Sequence, residues 1–364
     1  MAEEPETASS AAAGAGGRLS GLSPGLGLFV TQLVAILMAF IVGAVVLQVT
    51  GYSPLQAYGA MLRGAFGNIY GIGQTLTHAT PIIFTALAFL FAFKGGLFNI
   101  GAEGQFLVGA LGAALVGISF DGLPAVVHVP LALLVGALAG GLWGLIPAFL
   151  KTRFGAHEVI TTMMLSYVAL YLTGYMVNYP FKAPGWVAQT VPIASSAELP
   201  RILPPTQLSA SIFVAGLLTL GTQYVLRKTA FGFEIRATGL NPDAAQNAGI
   251  DVDRKLILAL AVSGAIAGLG GSGEILGVHR RFIQGFSPGY GWDGLAVALV
   301  GGNNPYGALL AAVLFGALRS GGMVMTRATG VPLDIVFLLR ALVILFVAAP
   351  TLIRSLLRRG GLRW

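Results

Sequence analysis

The stretch Phe29–Val49, FVTQLVAILMAFIVGAVVLQV, runs without a single charged residue. A bilayer's hydrocarbon core takes roughly 20 apolar residues per helical crossing, so this run reads as a membrane span. Leucine-, alanine-, valine- and glycine-rich blocks of similar length recur from there to the terminal arginines, and Leu333–Leu352 is a second run too apolar for anything but a span or a fully buried core. The composition agrees, at 55% hydrophobic and 10% charged residues with a mean hydropathy of +0.81. Soluble domains carry roughly 25% charged residues. The 52 glycines among 364 residues require helices that approach one another closely or break.

The expected fold is therefore all-α, a polytopic membrane protein of about ten transmembrane helices. The apolar blocks fall at 28–49, 72–93, 97–118, 126–150, 157–178, 208–226, 256–277, 290–301, 306–325 and 331–353, the eighth too short to span alone. An even number of crossings puts both termini on one side. Most lysines and arginines lie in the loops of that side, so both termini are expected in the cytoplasm. Residues 1–27 begin acidic and turn Ala/Gly/Ser-rich, the opposite of a signal peptide, and read as a disordered cytoplasmic tail. The transmembrane domain covers 28–354, with a cytoplasmic loop at 227–255 and an external loop at 179–206, and 355–364 form a basic cytoplasmic tail.

Several function classes drop out. A net charge of +7 and a pI near 9.8 come without a basic face interleaved with aromatics, so the cations anchor loops and no nucleic acid is implied. There is no cysteine, no P-loop, no Ser/His/Asp constellation and no metal-ligand spacing. Neither catalysis nor a cofactor or metal is expected of this chain.

Three polar segments exceed a simple turn. Tyr179–Thr206 carries six prolines and is expected to be an extended surface loop. Ser53–Phe66 opens with Ser and Pro at N-cap and N1 and alternates apolar with polar residues, as a short interfacial helix does. In the cytoplasmic loop, Asn241–Gly249 spells a complete short helix: Asn241 to cap the amides, Pro242 at N1, Asp243 at the positive end, Gly249 for a left-handed C′. Two turns alone are unstable in water, so this helix packs against its own membrane domain or docks into a partner.

The run Asp243-Ala244-Ala245, with Gly249 after three further residues, resembles the head of the EAA loop of ABC importer permeases, with Asp in place of Glu. The Ile-x-Leu-Pro tail of that loop is absent. This departure points to the ribose, branched-chain amino acid and nucleoside permeases, whose related loop Lys228–Gly232, Arg236–Gly239 and Ala248–Ile250 resemble. Gly95–Gln105 is similar to the signature of bacterial nucleoside permease subunits. His157–Leu165 also resembles that subfamily, which often has Asn where this chain has His157 and Ser166. Gly289–Gly307 resembles the whole superfamily. The resemblance covers nearly all of the chain after residue 50.

The resemblance implies a permease subunit of an ABC importer in the bacterial cytoplasmic membrane, for nucleosides, with sugars or branched-chain amino acids as alternative cargo. It also implies ABC ATPase subunits docked on Arg236, Asn241, Asp243, Ala244, Ala245 and Gly249, a second permease chain, and an extracytoplasmic binding lipoprotein or periplasmic protein. An ion-coupled secondary transporter is the rival class, and would need a titratable relay.

Charged groups inside a span cost about 2.5–3.5 kcal/mol, so each needs a partner, a wet cavity or a function. Glu103 lies beside Gly95, Gly96 and Gly101, where the helix can unwind, and Asn99, Glu103 and Gln105 supply donors and acceptors for a small polar substrate. Glu158, Trp292 and Asp293 complete the expected substrate path. The alternatives are structural: Glu103 holding helices together, Glu158 as a helix N-terminal carboxylate and Trp292 as an interfacial anchor. Arg340 is expected to pair with a buried carboxylate such as Glu103 or Glu274, and His78 to hydrogen-bond between helices. Glycines at 136, 140 and 144, and at 264 and 268, mark close-packing faces between helices or subunits.

Overall fold

A computed structural model describes residues 24–120 and 122–348. Among them the chain is all-helical: α1 (Pro24–Val49), α2 (Pro54–Phe66), α3 (Ile69–Lys94), α4 (Ala102–Ser119), α5 (Ala125–Phe154), α6 (Glu158–Asn178), α7 (Ser211–Lys228), α8 (Ala230–Leu240), α9 (Pro242–Asn247), α10 (Val252–Glu274), α11 (Tyr290–Val300), α12 (Pro305–Thr329) and α13 (Leu333–Ala348). A 3₁₀ turn lies at Ser195–Ala197, and α10 runs on into a π-helical turn at Ile275–His279. The expected N-terminal tail lies outside the described residues up to 23, and residues 24–27 already belong to α1; the C-terminal tail lies wholly outside them.

A helix stands at each of the ten expected places, but seven are long and apolar enough to cross a membrane. These are Thr31–Val49, Ile69–Lys94, Ala102–Ser119, Ala125–Phe154, Glu158–Asn178, Val252–His279 and Pro305–Thr329. The other three fall short for different reasons. α7 ends on Thr222, Gln223, Arg227 and Lys228, which dilute its hydropathy; α11 has only 11 residues; and α13 has 16 described residues of a block expected to run to 353.

α3 is the axle of the bundle. Residues Ala79–Ala92 are buried without interruption, with α10, α11 and α12 packed around them. Such helices gain little from hydrophobic burial in lipid and are held by close packing. The glycines supply it: an added Cβ would come within 2.3 Å of the Gly268 Cα at Gly109, within 2.4 Å of the Gly264 carbonyl oxygen at Gly140, and within 2.4 Å of the Gly136 carbonyl oxygen at Gly268. The glycines of 136–144 and 264–268 thus press α5 onto α10 within one chain.

The proline-rich segment 179–206 is largely extended and exposed, and it is also tied to the rest of the chain. It folds back onto the bundle, and Thr190, Ile193, Ala197 and Leu199 are buried. Its backbone pairs with the π turn and the stretch after it: Thr190 N–H donates to Phe282 O (2.9 Å), Ile193 N–H to Arg280 O (2.9 Å), Leu199 N–H to Leu276 O (2.8 Å), and Gln284 N–H to Ala188 O (2.9 Å). An Arg280–Glu198 ion pair at 3.0 Å closes it. The amphipathic α2 lies on α12, with Gly64 against Val324 and Gly321 against Met61.

Gly268→Leu is expected to abolish the monodisperse peak in detergent size-exclusion chromatography, since α5 and α10 cannot both keep their places. Gly216→Leu, where an added Cβ meets nothing within 4 Å, is expected to leave that peak unchanged.

Candidate functional site

Between α3 and α4 the chain makes a non-helical turn. Gly95 ends α3, and Gly96 takes φ +79°, a region an L side chain enters at a cost of about 1–2 kcal/mol. Asn99 organises the rest of the turn. Its amide donates to Gln105 Oε1 (2.9 Å) and Ser263 Oγ (2.8 Å), its carbonyl oxygen accepts from Gly101 N–H (2.9 Å), and Ser263 donates on to the Ala88 carbonyl (2.6 Å). Asn99 and Gln105 are each 1% exposed. They join α3, α4 and α10 through satisfied hydrogen bonds.

The second feature is a discontinuous span. Residues 280–289 leave the π turn in non-helical form and carry the chain to Tyr290, whose carbonyl accepts from Thr85 Oγ1 at 2.8 Å. Thr85 lies about 14 Å from the C-terminal end of α3 and about 24 Å from its start, at 1.5 Å per residue, so α11 begins at mid-helix depth. It is a half-helix with its N-terminus inside the bundle, the arrangement by which membrane proteins present free backbone amides to a cavity or ligand. Glu103 meets that N-terminus: Gly291 N–H donates to Glu103 Oε2 at 2.6 Å. A carboxylate there answers both the orphan amide and the positive end of the helix dipole. Gly291 is obligatory, because an added Cβ would lie 2.3 Å from the Glu103 nitrogen.

Asp293, in the first turn of α11, is the centre of a buried ion cluster. Arg340 of α13 hydrogen-bonds its Oδ1, and Arg319 of α12 approaches its Oδ2 at 3.4 Å. This corrects the expectation for Arg340, whose partner is Asp293 and neither Glu103 nor Glu274. Glu274 faces His279 Nε2 at 3.7 Å instead. Sequence reasoning misses Arg319, although a charge between Leu318 and Ser320 in the apolar block 306–325 asks for a partner. Its guanidinium also stands over the Tyr290 ring, 5.0 Å from the centroid. The Tyr290 hydroxyl meets His78 Nδ1 at 3.4 Å.

His78 is the floor of a cavity of about 530 Å³ between α2, the first half of α3 and the end of α12. Asn68, Tyr70, Gln74, Gln207 and Ser320 add polar and aromatic walls, with Arg63 and Arg327 also lining it. This volume lies within the roughly 300–1,000 Å³ of small-molecule sites. Amides, a hydroxyl, an imidazole and an aromatic ring can hydrogen-bond and stack against a polar heterocycle. None of the six residues expected on the substrate path lines it. Trp292 lies on α11, 37% exposed. Glu158 begins α6 and is ion-paired with Lys151 at 2.7 Å.

At the opposite end of α3 stand α8 and α9. Asn241 accepts from Ala244 N–H (3.0 Å), and Gly249 takes φ +85° after α9. Asp243, Ala244, Gln246 and Asn247 are exposed, whereas Ala245 is 4% exposed and turned into its own chain. α8 is wedged against the α3–α4 turn: a Cβ on Gly239 would come 2.3 Å from the Lys94 carbonyl oxygen and 2.7 Å from the Gly96 nitrogen. Arg236 faces this turn and not the exposed side of α9, lining a cleft with Lys94.

Comparison with known proteins gives this geometry a family. Residues 71–348 match the model of branched-chain amino acid transport system permease components. The chain is 43% identical over 327 residues to a guanosine ABC transporter permease protein of Bacillus subtilis, covering 88% of this chain and 93% of that one. It is 37% identical over 338 residues to a nucleoside ABC transporter permease protein of Lactococcus lactis, covering 90% and 93%. A glucose ABC transporter permease protein of Haloferax volcanii is 37% identical over 328 residues, covering 87% and 86%. These relatives are named as transport subunits, not enzymes.

The ion cluster predicts an asymmetry. Arg340→Met leaves Asp293 paired with Arg319, while Asp293→Asn leaves the buried Arg340 and the half-buried Arg319 without a counter-charge, a loss of the order of 3–5 kcal/mol. Thermal unfolding in detergent is expected to show Asp293→Asn as the more destabilised by far, with much of the loss recovered in Asp293→Asn/Arg340→Met.

Proposed function

The chain belongs to the family of branched-chain amino acid transport system permease components, and on that premise we propose that it is the membrane-spanning permease of an ATP-driven nucleoside importer. The observation that carries the cargo is its likeness, over most of its length, to the guanosine and nucleoside permeases. Separate ATPase subunits supply the energy, a second permease chain completes the pore, and an extracytoplasmic binding protein delivers the nucleoside. The bacterial cytoplasmic membrane is its site, with the termini and the 227–255 loop inside. Sugar is the second reading, favoured by the equally long match to the glucose permease.

The cavity above His78 is our candidate for the outer part of the path. In this orientation it opens to the external side, and it ends where His78 touches Tyr290 at the head of the half-helix. Glu103 and Asp293 stand just beyond, fixing that head, and their proposed role is to set the gate. Asn99 and Gln105 anchor the α3–α4 turn behind it. Glu158, held by Lys151, and Trp292 remain peripheral members of the path.

Coupling runs from the opposite end. ATPase closure pushes on the exposed face of α9, which Asn241 and Gly249 terminate and Ala245 seats. α8 transmits the push through the Gly239–Gly96 backbone contact to the turn that leads to Asn99 and Glu103. The differential contact of the ATPases with α9 in their open and closed states biases the permease between outward- and inward-open forms.

Reconstituted with its cognate ATPase, second permease and binding protein, the chain is expected to accumulate labelled guanosine or adenosine only with ATP, and to ignore glucose. Uptake driven by a proton or sodium gradient without ATPase overturns the class, and preference for glucose overturns the cargo. Ala244→Trp is expected to fold normally and to lose co-purification with the ATPase, because it enlarges the docking face. Ala245→Trp is expected to lower folded yield, because its side chain has no room in its own chain.

Glu103 separates charge from hydrogen bonding. Glu103→Gln keeps an acceptor for Gly291 and is expected to fold. Glu103→Ala leaves a buried amide unpaired at about 1–3 kcal/mol, and is expected to lower both the unfolding temperature and nucleoside uptake.

A further inference from the structure

A cleft of about 450 Å³ opens at the far end of α3, between Phe93 and Lys94, the turn Gly96–Phe98, and the last turn of α8 with Arg236 and Leu240. Its polar side is cationic. Lys94 and Arg236 both line it. Among the described residues neither Lys94 nor Arg236 has an ion-pair partner, and the Arg236 Nε is sealed from solvent with no acceptor. The nearest carboxylate in sequence, Glu234, is taken by Lys255 at 2.5 Å. A lysine at a helix C-terminus is favoured by the dipole, which accounts for Lys94 but not for an arginine turned inward beside it. Two cations on one cleft wall without a counter-charge offer donors to the oxygens of an anion.

The other walls are apolar: Leu97 is buried, Phe93 is 37% exposed and Leu240 87% exposed. This combination sits where the apolar 26-residue helix α3 ends, and a spanning helix of that length ends among lipid headgroups. An acidic protein side chain would use the cations and leave Phe93 and Leu240 bare, whereas an amphiphile uses both.

We propose that this cleft binds the phosphate headgroup of an anionic phospholipid of the cytoplasmic leaflet, Lys94 and Arg236 holding the phosphate while Phe93 and Leu240 flank the start of an acyl chain. The inference rests on the orientation proposed above. Because Gly239 presses on the Lys94–Gly96 turn from the same helix that carries Arg236, the bound lipid clamps α8 to α3 and makes ATPase coupling dependent on anionic lipid.

The full chain, purified in detergent and stripped of lipid, is titrated with phosphatidylglycerol, phosphatidylcholine or inorganic phosphate, and bound lipid is counted by native mass spectrometry. Phosphatidylglycerol is expected to saturate at one molecule in the cleft and to bind on the order of tenfold tighter than phosphatidylcholine. Lys94→Gln/Arg236→Gln should lose that preference, and Lys228→Gln, on an exposed lysine of the same loop, should keep it. Should the double variant misfold, Leu240→Asp at the exposed rim is expected to weaken phosphatidylglycerol by a similar factor. Equal binding of both lipids, an unchanged double variant, or phosphate competing as well as phosphatidylglycerol would each overturn the proposal. So would a double variant that keeps its lipid and loses only the ATPase, since that marks the cleft as a seat for an acidic partner side chain. Labelling of a cysteine placed at Lys228 from one side of sealed vesicles tests the orientation separately, so that a failed orientation and a failed lipid site read differently.

Discussion

A backbone that leaves helical form inside a bilayer must find a partner for every amide and carbonyl, and residues 280–289 impose that requirement on the rest of this molecule. The proline-rich segment 179–206 answers it from one side, with Thr190 and Ile193 donating to Phe282 and Arg280 and the Ala188 carbonyl accepting from Gln284. Glu103 answers it from the other, accepting from Gly291 where the half-helix begins. The 179–206 segment is therefore the second wall of a broken span, and its prolines suit it to an extended course that ladders against another extended stretch without continuing into helix.

The same constraint explains why charges collect where they do. Asp293 stands in the first turn of a half-helix that cannot reach the membrane surface, so its counter-ions come from neighbouring helices, Arg319 from α12 and Arg340 from α13. Two arginines on one carboxylate tie three helices to a point about midway along α3. Tyr290 links that point to His78 and the cavity above it. His78 thus joins the cavity to a group on the half-helix, and Glu103, at the start of α4, joins the α3–α4 turn to the same half-helix. Cavity and turn meet at α11.

Glycine makes such a design possible at two scales. Pairs such as Gly140 and Gly264 let α5 and α10 pack backbone to backbone, giving a rigid flank. Gly96 and Gly239 do the same at the C-terminal end of α3, where α8 bears directly on the turn that leads to Asn99 and Glu103. Close packing transmits displacement because an interior without voids cannot absorb it.

The amino-acid sequence by itself determined the class. Apolar blocks of bilayer length dictate a helical membrane protein; Asn241, Pro242 and Gly249 dictate a two-turn helix; glycines four apart dictate close faces; and Gly95 and Gly96 dictate a break before Glu103. Each of these is local, set by the solvent or by the backbone freedom of one residue. What Glu103 and Arg340 bind was not legible, because their partners Gly291 and Asp293 lie 188 and 47 residues away and any of several carboxylates satisfies an arginine equally well on paper. Nor was it legible that Ala245 faces inward, that 179–206 folds back, or that the cavity is lined by Gln74, His78 and Ser320 and by none of the polar residues around the Gly95–Gly96 break. Those outcomes depend on which helices become neighbours. Tertiary structure alone decides that, because in lipid the choice rests on shape and on the pairing of a few buried polar groups, not on hydrophobicity that every span shares.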